Sequence, residues 1–262
     1  MLYKVVLIIA YRFFSYKDSL FYFFLTDFRL CTIISLKNRK GMTPVRKGNH
    51  HVQQKKKKAG ERSLPFQLLS GIILFLFIVS ASVTFTLQLR PLYYADIRIL
   101  DISENTGIDE ETIKKNYDIL IDYNTLGNRS ELVLPDFSMS EGGRIHFQEV
   151  KVIFDFISIV LIITGPLTLI LILYSRKSRN FLYLAVGGVI SLAVPALLTV
   201  LLFADWDRFF VGFHHLFFNN DYWIFDPAQD PVINILPDTF FLHCALLILI
   251  LVILGGIISL LF

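Results

Sequence analysis

Two of the six histidines in this chain stand among residues that could work with them in proton-transfer chemistry. His146 opens the run HFQEVKVIFD, which also supplies Glu149, Lys151 and Asp155; the last two are four apart and can pair on one helix face. His214 lies in DRFFVGFHHLFFNND, where Asp207, His214 and Asp221 recur every seven residues, one helical face if the helix runs that far. Trp206, Phe209, Phe210, Phe213 and Phe217 follow helical spacing on an adjacent face. A lipid-facing aromatic stripe beside a histidine-bearing polar edge is the arrangement that work on an acyl ester at a membrane interface would need. The edge supplies a base and the stripe holds the chain.

Other chemistries find less support. No HExxH-type spacing marks a metal site, and no GxSxG elbow marks a serine nucleophile. Cys31 and Cys244 are the only cysteines, both in apolar stretches, so neither a thiol–disulfide site nor a cysteine zinc site is indicated. His215 and His243 read as polar side chains at the membrane interface. Asp226-Pro227 and Asp230-Pro231 read as turn and helix-start devices, with Asp as cap and Pro at the first helical position. Gly187-Gly188 and Gly255-Gly256 sit inside apolar runs and suit close helix packing.

The elements that must position these residues belong to a membrane. The 262 residues are 54% hydrophobic, and the mean hydropathy is +0.58, which a soluble chain of this size does not sustain. Four segments reach the ~20 residues that a helix needs to cross the hydrocarbon core: residues 65–89, 152–174, 181–204 and 240–262. Gly165-Pro166 predicts a kink in the second, and Pro195 lies inside the third. The expected fold is an all-α membrane protein of four transmembrane helices. A basic run, Lys55 to Lys58, precedes the first span, and SRKSRN separates the second from the third. The positive-inside rule therefore places both termini in the cytoplasm and the segments 90–151 and 205–239 outside. His146 just before the second span and His214 just after the third then share the outer face. Ionisable groups at membrane depth, such as Asp155, are functional candidates by default.

Residues 1–63 are expected to form a basic N-terminal extension, in part spurious, with a natural start at Met42; residues 64–262 form the membrane domain. In the first outer segment, TGIDEETIKKNYDILIDYN predicts an amphipathic helix capped by Thr106 or Asp109. Its stripe of Ile108, Ile113, Tyr117, Leu120 and Ile121 would pack onto the membrane domain. The second outer segment, with Trp223 and its phenylalanines, has the polar–aromatic balance of a surface at the lipid–water boundary. From residues alone, three readings stay open: an outer-face His–carboxylate enzyme, a non-catalytic sensor or assembly protein, and a metal-dependent membrane hydrolase. A transporter fits poorly, since no charged residue lies near the middle of a span. Nucleic-acid binding by the basic run is not indicated.

From about Leu64 to Phe262 the chain resembles the lipoprotein intramolecular transacylase (Lit) family, four-span proteins of the cell membrane of low-GC Gram-positive bacteria. The resemblance rests on HFQEVK before the second span, on FHHLFFNNDYWIFDPAQDPVINILPDTFF before the fourth, and on the KNYDILIDY helix. Family members more often carry Asp where this chain has Glu149. The resemblance implies transfer of the sn-2 acyl chain of an S-diacylglyceryl group to the α-amine of the N-terminal cysteine of a bacterial lipoprotein, giving the lyso form. No cofactor is implied, and the partners are the diacylglyceryl lipoprotein, after signal-peptide removal, and membrane lipid. His146 and His214 would be the catalytic pair, one a base and the other an acid. Glu149 would orient His146. Tyr222 and Asp226 would help position substrate, near Lys151, Asp155 and Trp223, while Phe213 and Phe217 hold acyl chains.

Overall fold

The computed structural model describes residues 63–262. The expected N-terminal extension, with its basic run, Cys31 and the start at Met42, lies outside the described residues. Regular structure among the described residues is helical: α1 (Leu64–Gln88), α2 (Arg90–Ile99), α3 (Ile102–Thr106), α4 (Glu110–Tyr123), α5 (Glu141–Ser178), α6 (Leu182–Ala204), α7 (Trp206–Phe217), a short 3-10 helix (Pro231–Ile235) and α8 (Asp238–Leu261). Four of these, α1, α5, α6 and α8, are long and apolar enough to cross a membrane. The fold is an all-α, multi-pass membrane protein. The described residues fall into two units: Gly212–Asn219 belongs to one, and residues 63–211 with Asn220–Phe262 form the other.

Within the larger unit α1 is the central span, packing against α5, α6 and α8. Its buried face carries Gln67, Ser70, Gly71, Leu74 and Ile78. Such small and polar residues let backbones approach where no hydrophobic effect drives helices together. A Cβ on Gly187 would stand 3.0 Å from Gly71 O of α1, and one on Gly256 would stand 3.1 Å from Gly188 O. The glycine pairs therefore serve helix packing, as their sequence context indicates. Pro166 lies within α5, whose helix continues from Glu141 to Ser178. The second span is thus the membrane part of a 38-residue helix that starts eleven residues before the expected boundary at 152.

At the end of the bundle where α1 finishes and α8 begins, a cap with its own core covers the helices. The expected amphipathic helix is divided: α3 stops at Gly107, whose φ of +69° suits a residue without a side chain, and α4 starts after Asp109. Asp109 is the N-cap, its side chain accepting from Thr112 N–H at 2.9 Å. Ile113, Tyr117, Leu120 and Ile121 are buried in the cap core, with Ile108 packed at its edge. There they meet Tyr93 and Ile97 of α2, Phe147 of α5, Val232 and Ile235 of the 3-10 helix, and Phe240 of α8. Tyr93 stacks on Tyr117 with ring centres 3.8 Å apart, and its hydroxyl donates to Ile235 O at 2.6 Å. Burial pushes both phenols well above their ordinary value.

Candidate active site

The N-terminus of α5 is fixed by residues far away in sequence. Ser140 is its N-cap, and Ser140 Oγ accepts from Gly143 N–H at 2.9 Å. Ser140 in turn donates its N–H to Asp230 Oδ1 and its hydroxyl to Asp230 Oδ2, both at 2.7 Å. Asp230 is only 3% exposed. Two short bonds, one to each oxygen, satisfy a carboxylate that burial would otherwise make costly. Asp230 Oδ1 lies so close to Gly143 that a Cβ there would collide with it. Gly142 lies under the ring of Tyr222, which a Cβ there would approach to 3.1 Å. The segment carrying Asp230 is braced locally: Asp226 Oδ1 accepts from Ala228 N–H at 3.0 Å, and Asp226 O accepts from the N–H groups of Gln229 and Asp230. Pro231 then begins the 3-10 helix.

This clamp sets the position of His146, one turn along α5. The imidazole is buried, with its ring edge-on to Phe225 at 5.5 Å between centres. Phe147 packs beside it against the same Phe225 at 5.4 Å. One further turn on, Glu149 Oε1 accepts from Asn220 Nδ2 at 2.9 Å. Glu149 Oε2 is buried and has no hydrogen-bond partner among the described residues. His146 and Glu149 thus share an aromatic seam between α5 and the segment 220–225. An imidazole so placed can exchange a proton with a bound group, and a carboxylate with a spare oxygen can accept a hydrogen bond from one.

The other expected residues divide by what they touch. Lys151 does pair with Asp155, at 3.3 Å, as the four-residue spacing indicates. Its ammonium also donates to Tyr123 O at 2.9 Å and Thr125 O at 3.4 Å, closing the C-terminal end of α4. These contacts hold the cap to α5. Asp226 spends its side chain on its own turn. Tyr222 is exposed above Gly142, and Trp223 is half-buried in the same segment. His214 lies near the end of α7 in Gly212–Asn219, with Phe213 edge-on at 5.6 Å and Phe218 at 5.7 Å between ring centres. Phe213 and Phe217 pack 4.7 Å apart and remain exposed. Because α7 stops at Phe217, Asp221 is not on its face, and the seven-residue series ends at His214.

One pairing escaped the sequence reading. Asp96 of α2, 1% exposed, holds both carboxylate oxygens 2.9 Å from Nδ1 of His243 on α8. His243 is therefore more than an interfacial polar side chain. The available signal was Asp96 itself: in RPLYYADIRI it falls on the same face as Tyr93 and Ile97, which an amphipathic helix reserves for apolar residues. Nothing local points from there to a partner 147 positions away.

Comparison with known proteins follows this architecture. Residues 68–241 match the family model described as lipoprotein intramolecular transacylase Lit. The chain belongs to the Lit family. It is an acyltransferase by that membership. The structure of membrane-integral Lit from Bacillus cereus is 34% identical, covers 74% of this chain and 90% of its own, and superposes with a TM-score of 0.72. A form of that Bacillus cereus protein with one histidine replaced by alanine is 32% identical over 81% of this chain and 94% of its own, with a TM-score of 0.67. A comparison with curated protein sequences gives no significant match.

Proposed function

We propose that this Lit-family chain moves the sn-2 acyl chain of an S-diacylglyceryl group onto the α-amino group of the same lipoprotein's N-terminal cysteine, leaving a lyso-form lipoprotein. Family membership supports the reaction class. The observation that carries the site is His146, buried in an aromatic seam at the end of a membrane-spanning helix and held there by the Asp230–Ser140 clamp. Donor ester and acceptor amine belong to one molecule, so positioning supplies much of the rate and no acyl-enzyme is required. Of His146 and His214, one takes a proton from the nitrogen as it attacks, and the other delivers one to the departing glyceryl oxygen. Glu149 supports His146, while Tyr222 and Trp223 border the substrate. Phe213 and Phe217 hold acyl chain. Lys151, Asp155 and Asp226 act on the scaffold. The basic segments support a topology with both termini in the cytoplasm and this site at the extracytoplasmic face.

The test is expression in a bacterium that lacks N-acylation of lipoproteins, followed by mass spectrometry of one lipoprotein's N-terminal peptide. An amide-linked acyl group on cysteine with a single ester on glyceryl is the expected product. His146→Ala and His214→Ala should abolish it while the protein remains in the membrane. A diacylglyceryl peptide left unchanged by well-expressed protein would remove the reading, and normal product from either variant would remove that histidine from the site.

A further inference from the structure

A carboxylate oxygen taken out of water is costly unless it accepts a hydrogen bond. Two buried carboxylates of the larger unit obey this. Asp96 holds both oxygens 2.9 Å from His243 Nδ1, and Asp230 gives one oxygen to Ser140 N–H and the other to the Ser140 hydroxyl. Glu149 does not. Its Oε1 accepts from Asn220 Nδ2 at 2.9 Å, while Oε2 is the one buried carboxylate oxygen among the described residues that has no hydrogen-bond partner. Holding Asn220 does not call for a carboxylate. The side-chain oxygen of a glutamine would accept the same bond with no charge to bury.

The two cations on the outer part of α5 are committed elsewhere. Arg144 pairs with Glu141, and Lys151 is taken up by Tyr123 O, Thr125 O and Asp155. Neither serves the spare oxygen. Glu149 stands three residues after His146, about 4.5 Å of helix rise, and side chains so spaced are neighbours on one face. Both meet the same segment, Glu149 at Asn220 and His146 at Phe225. Phe225 and Phe147 line the seam there, and aromatic faces attract cations. The segment is exposed at Asp221, Tyr222 and Ile224, and one hydrogen bond among the described residues, from Asn220, joins it to Glu149. A ligand therefore reaches Oε2 by displacing a single side chain. The group that suits this place is small and positive, donates N–H, and lies beside a base. A diacylglyceryl lipoprotein carries one such group at its reacting end, the α-ammonium of the cysteine; its ester and thioether atoms only accept hydrogen bonds.

We propose that Glu149 Oε2 seats the α-ammonium group of the substrate's N-terminal cysteine; this rests on the transacylase reading above. The nitrogen donates one N–H to Oε2 and keeps its others for the histidine that takes the proton. Glu149 itself makes and breaks no covalent bond. It fixes the nucleophile within reach of His146.

The test measures binding to the full-length protein in detergent. The probe is the dialkyl ether analogue of the diacylglyceryl-cysteinyl peptide, which has no acyl group to transfer, fluorescently labelled and read by anisotropy. It is compared with a des-amino form in which hydrogen replaces the α-amine. At pH ~6.5, where about nineteen amines in twenty are charged, the wild type should bind the amine form about tenfold or more tightly than the des-amino form. The preference should shrink at pH ~9, where most of the amine is neutral. Glu149→Gln, which keeps the bond from Asn220, should bring the ratio near one by weakening the amine form alone, and Glu149→Asp should retain the preference. Equal binding of the two peptides by the wild type would overturn the proposal with no variant needed. So would a preference that survives Glu149→Gln, or a loss that falls on both peptides alike. A wild type that prefers the amine form yet transfers no acyl group from the diacyl peptide would remove the transacylase reading and leave the amine site standing.

Discussion

The clamp between Asp230 and Ser140 offers a sharp test of how α5 is held. Removing the carboxylate with Asp230→Ala deletes two bonds to a charged acceptor, each worth about 1.5–3 kcal/mol, and leaves Ser140 N–H to find water. Taking the lower figure for each, because water can enter once the side chain is gone, the loss is about 3 kcal/mol. Ser140 then no longer has a fixed position from which to cap Gly143, so the cost falls on the first turns of α5. At about 1.4 kcal/mol per tenfold, amide exchange at Gly143, Arg144 and Ile145 should accelerate about a hundredfold. Hydrogen–deuterium exchange on the protein in detergent reads this directly. Peptides from the middle of α5 and from α6 should be unchanged, and transacylation should fall because His146 lies in the loosened turns. Acceleration below about threefold at these amides would refute the claim that Asp230 organises the helix start.

Other perturbations test separate parts. Tyr93→Phe removes only the hydroxyl that donates to Ile235 O, and should lower thermal stability by about 1–2 kcal/mol; an unchanged melting temperature would contradict a structural role for that bond. Lys151→Met keeps the stem but loses the ammonium contacts to Tyr123 O, Thr125 O and Asp155, and should increase proteolysis after residue 123 while Asp155→Asn does so less. Gly256→Leu must push against Ser191 and Gly188 O of α6, and should reduce the yield of folded protein, whereas substitution at Gly212, where a Cβ meets nothing among the described residues, should not. Asp109 is held below its ordinary value of 3.8 by the Thr112 N–H, and Glu110 below 4.5 by Lys114. Depressed carboxylates stabilise fully above those ordinary values and cease to do so as pH falls through the folded ones. The start of α4 should therefore loosen in acid below about pH 4, visible as faster exchange there, and Asp109→Ala should show that looseness already at neutral pH.

The legible parts of this fold were those written in short-range pattern. Apolar length marked four spans, and the stripe from Ile113 to Ile121 marked α4, because these depend on each residue's own burial. The length of α5 was hidden because polar residues such as Arg144, Gln148 and Lys151 interrupt the apolar run, yet a helix emerging from lipid needs no apolar face all round. Ser140 as its cap carries no signal until Asp230 is known to reach it. His146 stands out in the sequence because it lies next to a span, and Glu149 because it lies a turn away. His243 was visible and undervalued: its meaning depends on Asp96, and only the cap's tertiary packing brings the two together. Asp230 was read as a local helix starter, which its backbone is, while its side chain works on another element.

The unbroken course of α5 also constrains how related chains can differ in length. His146 and Asp155 stand on one helix, nine residues apart, and each residue adds about 1.5 Å of rise and about 100° of turn. One inserted residue between them would swing the imidazole out of its seam with Phe225; seven would restore its direction but lift it about 10 Å from the lipid. Either change parts the histidine from Asp230 or from the membrane. Insertions and deletions should therefore be excluded from residues 140–155 and gather instead in the segment 125–139, where the chain has no helix to keep in phase.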